Sequence, residues 1–439
     1  MKKLLHLLIW LVGVVLGVGV FFGAVIGGSY ALTGESKLPD AAASVGDTPL
    51  EVNGMHWNVP LLGGMADKTF AAANTLSVQK LGTVTDAHPD FTLPDWCNYG
   101  TVTVEDEAGS RVFHGTLEEY AVFGYPANGE YLVSLTAWHL PAGMTEAEFR
   151  AQGDGPVVRN HGLETPVRPS GWYGYRVRFT LSAQPQVELS AEKVSQGSVV
   201  GVFVSGLLGN DADPAVQCDL GPVVLEAVPG GWRGYLPVAY NAEAGSYPLT
   251  VTAGQQTMTA AVKVSGKDFG RAELDTLDEP TAGGAEFREK IWPLYTAPSG
   301  GKAWLGRWSC PVVSYTVLVR CGQNKIVAGQ SQGRSNSSLL VTTPGAEVTA
   351  PAGGTVAFAG DLQLTGNTVV IDHGCGVRSY LYGLGEIYVQ KGDTVLQGGV
   401  LALAGQQLTY DVKIGNKSVD PWALFQGTGG LFWREDGRA

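Results

Sequence analysis

The stretch that decides the fold runs from Gly333 to Trp422 and reads GRSNSSLLVTTPGAEVTAPAGGTVAFAGDLQLTGNTVVIDHGCGVRSYLYGLGEIYVQKGDTVLQGGVLALAGQQLTYDVKIGNKSVDPW. Short runs rich in Val, Leu, Tyr and Thr alternate in it with turns built on Gly, Asn and Asp, roughly every ten residues. This rhythm is typical of a compact antiparallel β-fold, because short strands need a tight turn between them.

Four motifs follow one another within this stretch. They are P-G-A-E-V-T-A-P with G-G-T-V at 344–356, G-N-T-V-V-I-D-H-G at 366–374, V-Q-K-G-D-T-V at 389–395 and V-D-P at 419–421. Together they resemble the motifs of the M23 family, the LytM or lysostaphin-type zinc endopeptidases that cut peptidoglycan cross-bridges. The resemblance implies that residues 304–426 form a LytM-type antiparallel β-fold with a duplicated hybrid motif.

The resemblance also implies where the chemistry of the family would be located. An M23 peptidase holds zinc with the His and Asp of an H-x-G-x-D motif and with the second His of an H-x-H motif. The first His of H-x-H and the His of a Y-x-H-L motif assist the water. Here the first motif aligns with residues 336–340, which puts Asn336 and Leu340 at the ligand positions. A shift of one residue puts Ser335 and Leu339 there instead.

The other two motifs have no histidine. The Y-x-H-L site reads Tyr-Gly-Leu at 382–384, and the H-x-H site reads Gln-Leu-Thr at 407–409. Leucine cannot bind a metal, and neutral Asn, Gln and Thr are poor ligands for zinc. A catalytic zinc needs about three protein ligands and an open position for water. The sequence therefore predicts a pseudo-peptidase with no catalytic residue, no metal ligand and no cofactor.

A groove without zinc can still bind by hydrogen bonding to peptide and by stacking on sugar or side chains. The residues predicted to line this remnant groove are Arg334, Asn336, Tyr382, Gln407, Thr409 and Tyr410. An equally simple interpretation is that they only cap a packed β-fold, since function resides in a site and not in a fold. The expected partner is a peptidoglycan stem peptide or an envelope protein. The resemblance implies this, because family members of this kind activate cell-wall amidases or form channel components in sporulating cells.

Two other functions stay open. An active zinc peptidase with rearranged ligands would draw on the His, Asp and Cys residues of the domain core, which are Asp361, Asp372, His373, Cys375 and Asp411. The family's His in the D-H-G turn, where His373 falls, is not a ligand. Alternatively, a purely structural surface protein would carry its binding in the upstream domains.

The N-terminus predicts a membrane segment. Met1-Lys2-Lys3 precedes an apolar run from Leu4 to Ile26, and at ~1.5 Å per residue this run crosses a ~30 Å hydrocarbon core. Residues 1–28 are therefore interpreted as an uncleaved single-pass anchor, with the lysines in the cytoplasm and the bulk of the chain outside. A cleaved signal peptide is the rival, since Ser-Tyr-Ala at 29–31 fits a small-x-small cleavage site. Residues 29–47 read as a short flexible stalk.

The middle of the chain predicts two β-sandwich-like domains. Residues 48–183 form a β-rich domain of unknown type, with strands at 129–135 and 171–179 and a short helix at 144–150 capped by Thr145. Five histidines lack metal-ligand spacing and read as structural or surface residues: His56, His88, His114, His139 and His161. Residues 184–265 fit a small immunoglobulin-like sandwich, which loosely resembles a domain that precedes M23 domains in Gram-positive cell-wall proteins.

A charged connector follows at 266–303, with one helix around 285–295, and residues 427–439 read as a loose tail. The chain has 61 glycines and 16% charged residues, which favours mainly β architecture over helical bundles. Its net charge of −12 argues against a nucleic-acid partner. Of five cysteines, Cys310 and Cys321 are the best disulfide candidates, and one cysteine must remain unpaired.

Overall fold

The structure is a computed structural model that describes residues 2–72, 77–152, 169–276 and 282–434. The chain divides into two compact units, residues 1–183 with 208–210 and residues 184–207 with 211–439. Both units contain several β-sheets, and one long apolar helix lies at the N-terminus. The predicted mainly β fold class is confirmed.

Helix α1 (Lys2–Leu32) is longer than the predicted anchor. From Ile9 to Leu32 it is long and apolar enough to cross a membrane, a criterion that membrane anchors and signal sequences both meet. At its C-terminal end the Lys68 ammonium donates to the carbonyl oxygens of Tyr30 at 2.9 Å and Thr33 at 2.6 Å. A cation there compensates the negative end of the helix dipole.

Part of the segment predicted as a flexible stalk, around residues 38–45, packs on the first unit, which corrects that prediction for this part. Ala43 is buried in the core of the first unit. The hydroxyl groups of Tyr173 and Tyr175 donate to the carbonyl oxygens of Pro39 at 3.1 Å and Ala41 at 3.0 Å. Small and apolar residues in this segment fill the edge of a core that composition alone does not reveal.

The described residues of the first unit form ten strands: β1 (Ser44–Val45), β2 (Thr48–Pro49), β3 (Val52–Leu61), β4 (Ala66–Ala72), β5 (Gln79–Val84), β6 (Phe91–Thr92), β7 (Tyr99–Asp106), β8 (Arg111–Thr116), β9 (Gly129–His139) and β10 (Ser170–Leu181). One sheet has the order β4-β3-β10-β9-β7-β8 with β5 parallel to β10, and a smaller one has the order β2-β1-β6. Strands β9 and β10 confirm the two predicted strands. They pair in antiparallel register along their whole length, and Val133 and Val177 meet in the core.

Two short helices, α2 (Leu117–Tyr120) and α3 (Glu146–Gln152), complete this unit. The predicted cap of α3 is confirmed: the Glu148 N–H donates to Thr145 Oγ1 at 3.3 Å, and the Thr145 N–H donates to Glu148 Oε2 at 2.8 Å. This reciprocal pair is a capping box. Of the five scattered histidines, His161 lies outside the described residues.

The second unit begins with eight strands: β11 (Gln186–Leu189), β12 (Lys193–Ser195), β13 (Val199–Ser205), β14 (Ala215–Cys218), β15 (Glu226–Val228), β16 (Gly231–Pro237), β17 (Gly245–Ala253) and β18 (Gln256–Ser265). They form two four-stranded sheets, β11-β13-β16-β15 and β12-β18-β17-β14. Alternating residues of both sheets, such as Val202 and Val251, share one core, so this region is a β-sandwich.

The connector contains β19 (Arg271–Leu274) and α4 (Gly284–Ile291), followed by a 3-10 turn at Trp292–Tyr295. This helical segment confirms the predicted helix. The C-terminal domain then adds β20 (Tyr315–Val319), β21 (Asn324–Val327), β22 (Gln330–Arg334), β23 (Ser338–Thr342), β24 (Glu347–Thr349), β25 (Gly354–Leu362), β26 (Gly366–Asp372), β27 (Val377–Ile387), β28 (Thr394–Val395), β29 (Val400–Ile414), β30 (Lys417–Val419) and α5 (Pro421–Phe425).

A nine-stranded sheet organises this domain. Its order is β20-β23-β29-β27-β26-β25-β28, and β24 and β30 also pair with β29. The long strand β29 therefore joins two groups of strands across one apolar core that includes Val369, Leu381 and Leu408. Helix α5 begins at the V-D-P motif, where Asp420 accepts the Trp422 N–H at 3.0 Å as its N-cap.

Two further predictions are wrong. The segment up to Arg434 is not a loose tail: Leu431 is fully buried, and Arg434 forms an ion pair with Glu188 of the sandwich at 2.8 Å. The predicted disulfide is absent as well, because Cys310 and Cys321 are free thiols, like the other three cysteines. The Cys321 thiol instead lies 3.6 Å from the carbonyl oxygen of Asn336.

Candidate functional site

The zinc-binding face of the predicted fold can be located from strand register. Residues paired across adjacent antiparallel strands project to the same side of the sheet. Tyr382 of β27 pairs with Thr368 of β26 and with Thr409 of β29, and Thr409 pairs with Leu339 of β23. These four side chains define one side of the sheet, called the groove face below. Gln407 lies two residues before Thr409 on β29 and belongs to the same face.

The two alignments of the first motif are resolved by this register. Leu340 pairs with Leu408, and both side chains are buried in the core on the opposite side of the sheet. Leu339 is the residue that faces Thr409. The shifted alignment is therefore the one that the structure supports, and the alignment through Leu340 is wrong. In both alignments an aliphatic side chain replaces the expected carboxylate.

The residues on the groove face do not fit zinc. Leu339 offers no donor atom, and Thr409 and Tyr382 offer neutral oxygens, which are poor zinc ligands. Across the described ranges, no three His, Cys, Asp or Glu residues lie close enough together to hold a metal ion.

The six residues predicted to line a remnant groove have different surroundings. Thr409 is half-buried on the groove face, while Gln407 and Asn336 are exposed. Tyr382 is on the same face but only 9% exposed. Tyr410 projects to the opposite side, stacked on Phe425 with ring centroids 5.8 Å apart.

Arg334 contacts the connector and the loop at Gly322. Its Nε donates to the carbonyl oxygen of Gly322 at 2.9 Å, and its guanidinium lies over the ring of Phe269 at 4.9 Å. Tyr410 therefore lies on the side of the sheet opposite to Tyr382, Gln407 and Thr409, so the six predicted residues do not all line one groove.

The connector covers part of the groove face. Ile291 of α4 is fully buried against Val370, Tyr380 and Tyr382, and the Phe287 ring lies 6.1 Å from the Tyr382 ring. Sequence reasoning treated this segment as a link between domains. The apolar spacing of Phe287 and Ile291 in an otherwise charged helix was the available signal, because residues four apart share one helix face.

The D-H-G turn holds a second part of the connector, residues 297–303, called the strap below. Asp372 accepts hydrogen bonds from the Ser299 hydroxyl at 2.6 Å and from the Gly374 N–H at 2.9 Å, and pairs with Arg378 at 2.7 Å. The Arg378 guanidinium also donates to the carbonyl oxygen of Ala297 at 2.9 Å. This buried arginine therefore joins the turn, its neighbouring strand and the strap.

His373 is a structural residue in this turn. Nδ1 lies 2.7 Å from the carbonyl oxygen of Gly353 and must carry the proton, so Nε2 accepts from the Ser379 hydroxyl at 2.8 Å. Complete burial lowers the pKa of His373 to about 4. Both ring nitrogens are occupied, so the imidazole is unsuited to bind a metal.

The remaining candidate ligands of the alternative zinc site are also engaged or dispersed. Asp411 pairs with Lys413 at 2.7 Å, and both side chains are buried. Burial by itself lowers the pKa of Lys413, but the Asp411 carboxylate outweighs it and the net shift is upward, whereas burial raises the pKa of Asp411. Burial raises the pKa of the Cys375 thiol, which disfavours the thiolate that zinc requires. Asp361 is exposed on β25.

The model for peptidase family M23 matches residues 334–421. The C-terminal domain of this chain is thus an M23-type domain, which confirms the resemblance inferred from the four motifs. No curated protein matches the chain.

Several solved structures resemble the chain. A candidate M23 peptidase from Pseudomonas aeruginosa is 23% identical with a TM-score of 0.40, covering 53% of this chain and 94% of that one. The catalytic domain of the antimicrobial peptidase lysostaphin from Staphylococcus simulans is 19% identical with a TM-score of 0.23, covering 26% and 92%. The SpoIIQ–SpoIIIAH pore-forming complex contains a chain that is 18% identical with a TM-score of 0.24, covering 27% and 90%. These likenesses concern the fold alone.

Proposed function

We propose that this chain is a membrane-tethered protein of the cell envelope whose M23-type domain binds a partner and does not hydrolyse peptidoglycan. The observation that carries the proposal is the donor set of the groove face, where Leu339 and Thr409 stand in place of zinc ligands. A domain that cannot hold the catalytic metal has lost both the activated water and the Lewis acid of the family's reaction.

The tether follows from the N-terminal helix. Two lysines precede the apolar run, and positive residues flanking a first membrane segment favour the cytoplasmic side. The helix continues to Leu32, and the Lys68 ammonium caps it there, so its end is anchored on a folded domain. Because the helix continues without a break to a point held by the folded domain, it supports an uncleaved anchor with the bulk of the chain outside the membrane.

The partner is a peptidoglycan stem peptide or an envelope protein. The half-buried Thr409 and the exposed Gln407 keep polar groups that suit a peptide backbone, whereas α4 covers Tyr382. Hydrolysis would require a substrate to reach the covered part of this face, but binding to the exposed part does not.

The test is metal analysis of the full chain in detergent, combined with digestion of purified sacculi. We expect substoichiometric zinc and no released muropeptides, with the lysostaphin catalytic domain as the active control. Stoichiometric zinc together with zinc-dependent muropeptide release would overturn the proposal and favour the rearranged-ligand peptidase.

Binding itself is tested by co-sedimentation of the full chain with sacculi and by pull-down of envelope proteins. Truncating the C-terminal domain is unsuitable, because Leu431 and Arg434 pack on the sandwich and their loss would uncover it. The double variant Gln407→Ala/Thr409→Ala is preferable, with Lys193→Ala on the sandwich as the matched control. Equal binding by both variants would remove the groove face from the binding role.

A further inference from the structure

The M23-type domain contains a cavity of about 390 Å³ to which the sequence motifs assign no function. It lies between the strap, the first half of β25 and the turn that precedes β28, and its wall includes Gly300, Gly301, Thr355, Ala357 and Lys391. None of the groove-face residues lines it. Its size falls within the roughly 300–1,000 Å³ of small-ligand sites.

The charges in this cavity favour an anionic ligand. The carboxylate of Asp372 reaches the wall, but both of its oxygens already accept hydrogen bonds, from Arg378 on one side and from Ser299 and Gly374 on the other. Lys391 is exposed and forms no ion pair with any described residue. The uncompensated charge at the cavity is therefore positive.

Backbone donors add to this preference. The N–H groups of Gly300 and Gly301 have no hydrogen-bond acceptor within the described part of the chain, although the Gly300 carbonyl accepts from the Cys375 N–H at 2.8 Å. Two adjacent peptide N–H groups and a nearby ammonium can all donate hydrogen bonds to one carboxylate.

The outer edge of β25 begins at the cavity and has unpaired backbone groups. Among the described residues, strand β28 pairs with Gly354 and Thr355 of β25. The last bonds on this side are at Val356, whose N–H donates to the Asp393 carbonyl oxygen and whose carbonyl oxygen accepts from the Gly392 N–H, both at 2.8 Å. In the register with β26, the backbone N–H and C=O groups of Ala359 and Asp361 point away from β26. No described residue forms a hydrogen bond with them. Unpaired N–H and C=O groups in a row are what an extended peptide pairs with.

We propose that the cavity and the outer edge of β25 together bind an extended peptide that ends in a free carboxylate. The carboxylate is held by Lys391 and the Gly300–Gly301 amides, and the preceding residues add a strand along Ala359 and Asp361. The glycine and alanine walls select small side chains next to the carboxylate. The proposal rests on the proposed binding function and names a ligand class and a place for it.

The test uses the full chain in nanodiscs and isothermal titration calorimetry with N-acetyl-tetra-alanine as the probe. The same peptide as a C-terminal amide removes the carboxylate, and inorganic phosphate tests for a simple anion site. We expect the amide to bind roughly tenfold more weakly than the acid, in keeping with the loss of a charge-assisted hydrogen bond.

Three variants locate the site. Lys391→Gln should weaken the acid roughly tenfold and make acid and amide bind equally, whereas Lys193→Gln on the sandwich should change neither. Ala359→Pro removes one outward N–H without breaking a bond to β26, so it should weaken acid and amide by the same factor. Circular dichroism and thermal melting of each variant confirm that the fold is intact.

Each other outcome overturns the proposal. Absence of acid binding to the wild type, equal binding of acid and amide, or an acid preference that persists in Lys391→Gln removes the carboxylate site. Phosphate that binds as tightly as the acid, with Ala359→Pro unchanged, reduces the site to a simple anion pocket. If the chain released muropeptides, the proposed function would fail while selective acid binding would leave this site standing.

Discussion

The D-H-G turn and the groove face of the same domain show what a family pattern can retain and what it can lose. In the turn, Asp372 and His373 keep the family residues, and every polar atom of their side chains has a protein partner. On the groove face, Leu339 and Thr409 stand where the resemblance to the family implies zinc ligands, and Tyr382 is covered by the connector.

The difference teaches that the motifs carry two separate kinds of information. Residues of the turn hold backbone segments together, so replacing them costs stability whether or not the domain is an enzyme. Metal ligands are costly to keep buried without a metal, since unpaired charges destabilise a folded protein. Once zinc binding is lost, the ligand positions can change freely while the turn cannot.

The largest effect should come from removing the arginine of the turn. Arg378→Ala leaves the Asp372 carboxylate without its partner and the strap carbonyls without their donor, so we expect the free energy of unfolding to fall by about 3–5 kcal/mol. Denaturation of the full chain followed by tryptophan fluorescence measures this. The exposed Arg307→Ala serves as the control, and a loss below about 1 kcal/mol for Arg378→Ala would contradict the role of the turn.

Acid should also weaken the turn. The pKa of His373 falls from its ordinary value of 6.5 to about 4 on folding, so between these values the unfolded chain binds a proton that the folded chain does not. The contribution of neutral His373 to the free energy of unfolding is fully present above pH 6.5. As the pH falls to about 4, this contribution decreases by up to about 3 kcal/mol. Unfolding measured from pH 7 to 4 should show a flatter slope for His373→Asn than for the wild type. Equal slopes would exclude this histidine as the cause.

Introducing zinc ligands at groove-face positions should create a metal site. We expect Ser335→His/Leu339→Asp/Thr409→His to bind one zinc ion and to gain about 2.7 kcal/mol of stability at 100 times its dissociation constant. Calorimetric zinc titration measures this. In the matched control, Leu340→Asp replaces Leu339→Asp and buries its carboxylate in the core, so it should bind no zinc and should unfold more easily. Zinc binding by the control alone would reverse the assignment of the face.

The smallest effect should come from the exposed remnant positions. Asn336→Ala and Gln407→Ala should each change the free energy of unfolding by less than about 0.5 kcal/mol, because neither side chain is buried. The same denaturation assay measures both variants. A loss above about 1 kcal/mol would show that these residues cap a packed fold after all.

Local pattern predicted much of this molecule. The paired strands β9 and β10, the capping box at Thr145 and the helix of the connector all depend on neighbouring residues, and each prediction is confirmed. The errors concern contacts between distant segments. Residues 41–43 and Leu431 were read as loose because nothing nearby in the sequence shows that Tyr175 or the sandwich covers them.

The sequence by itself determined that the C-terminal domain is of the M23 type, since this follows from residue identity at spaced positions, and it predicts that the ligand positions lack zinc donors. Only the tertiary structure decided that Leu339 and not Leu340 faces Thr409, because a slip of one residue moves a strand's side chains to the other side of the sheet. It alone also placed α4 over Tyr382 and Lys391 beside the strap. These positions depend on how segments far apart in the chain pack together, and local pattern does not encode such contacts.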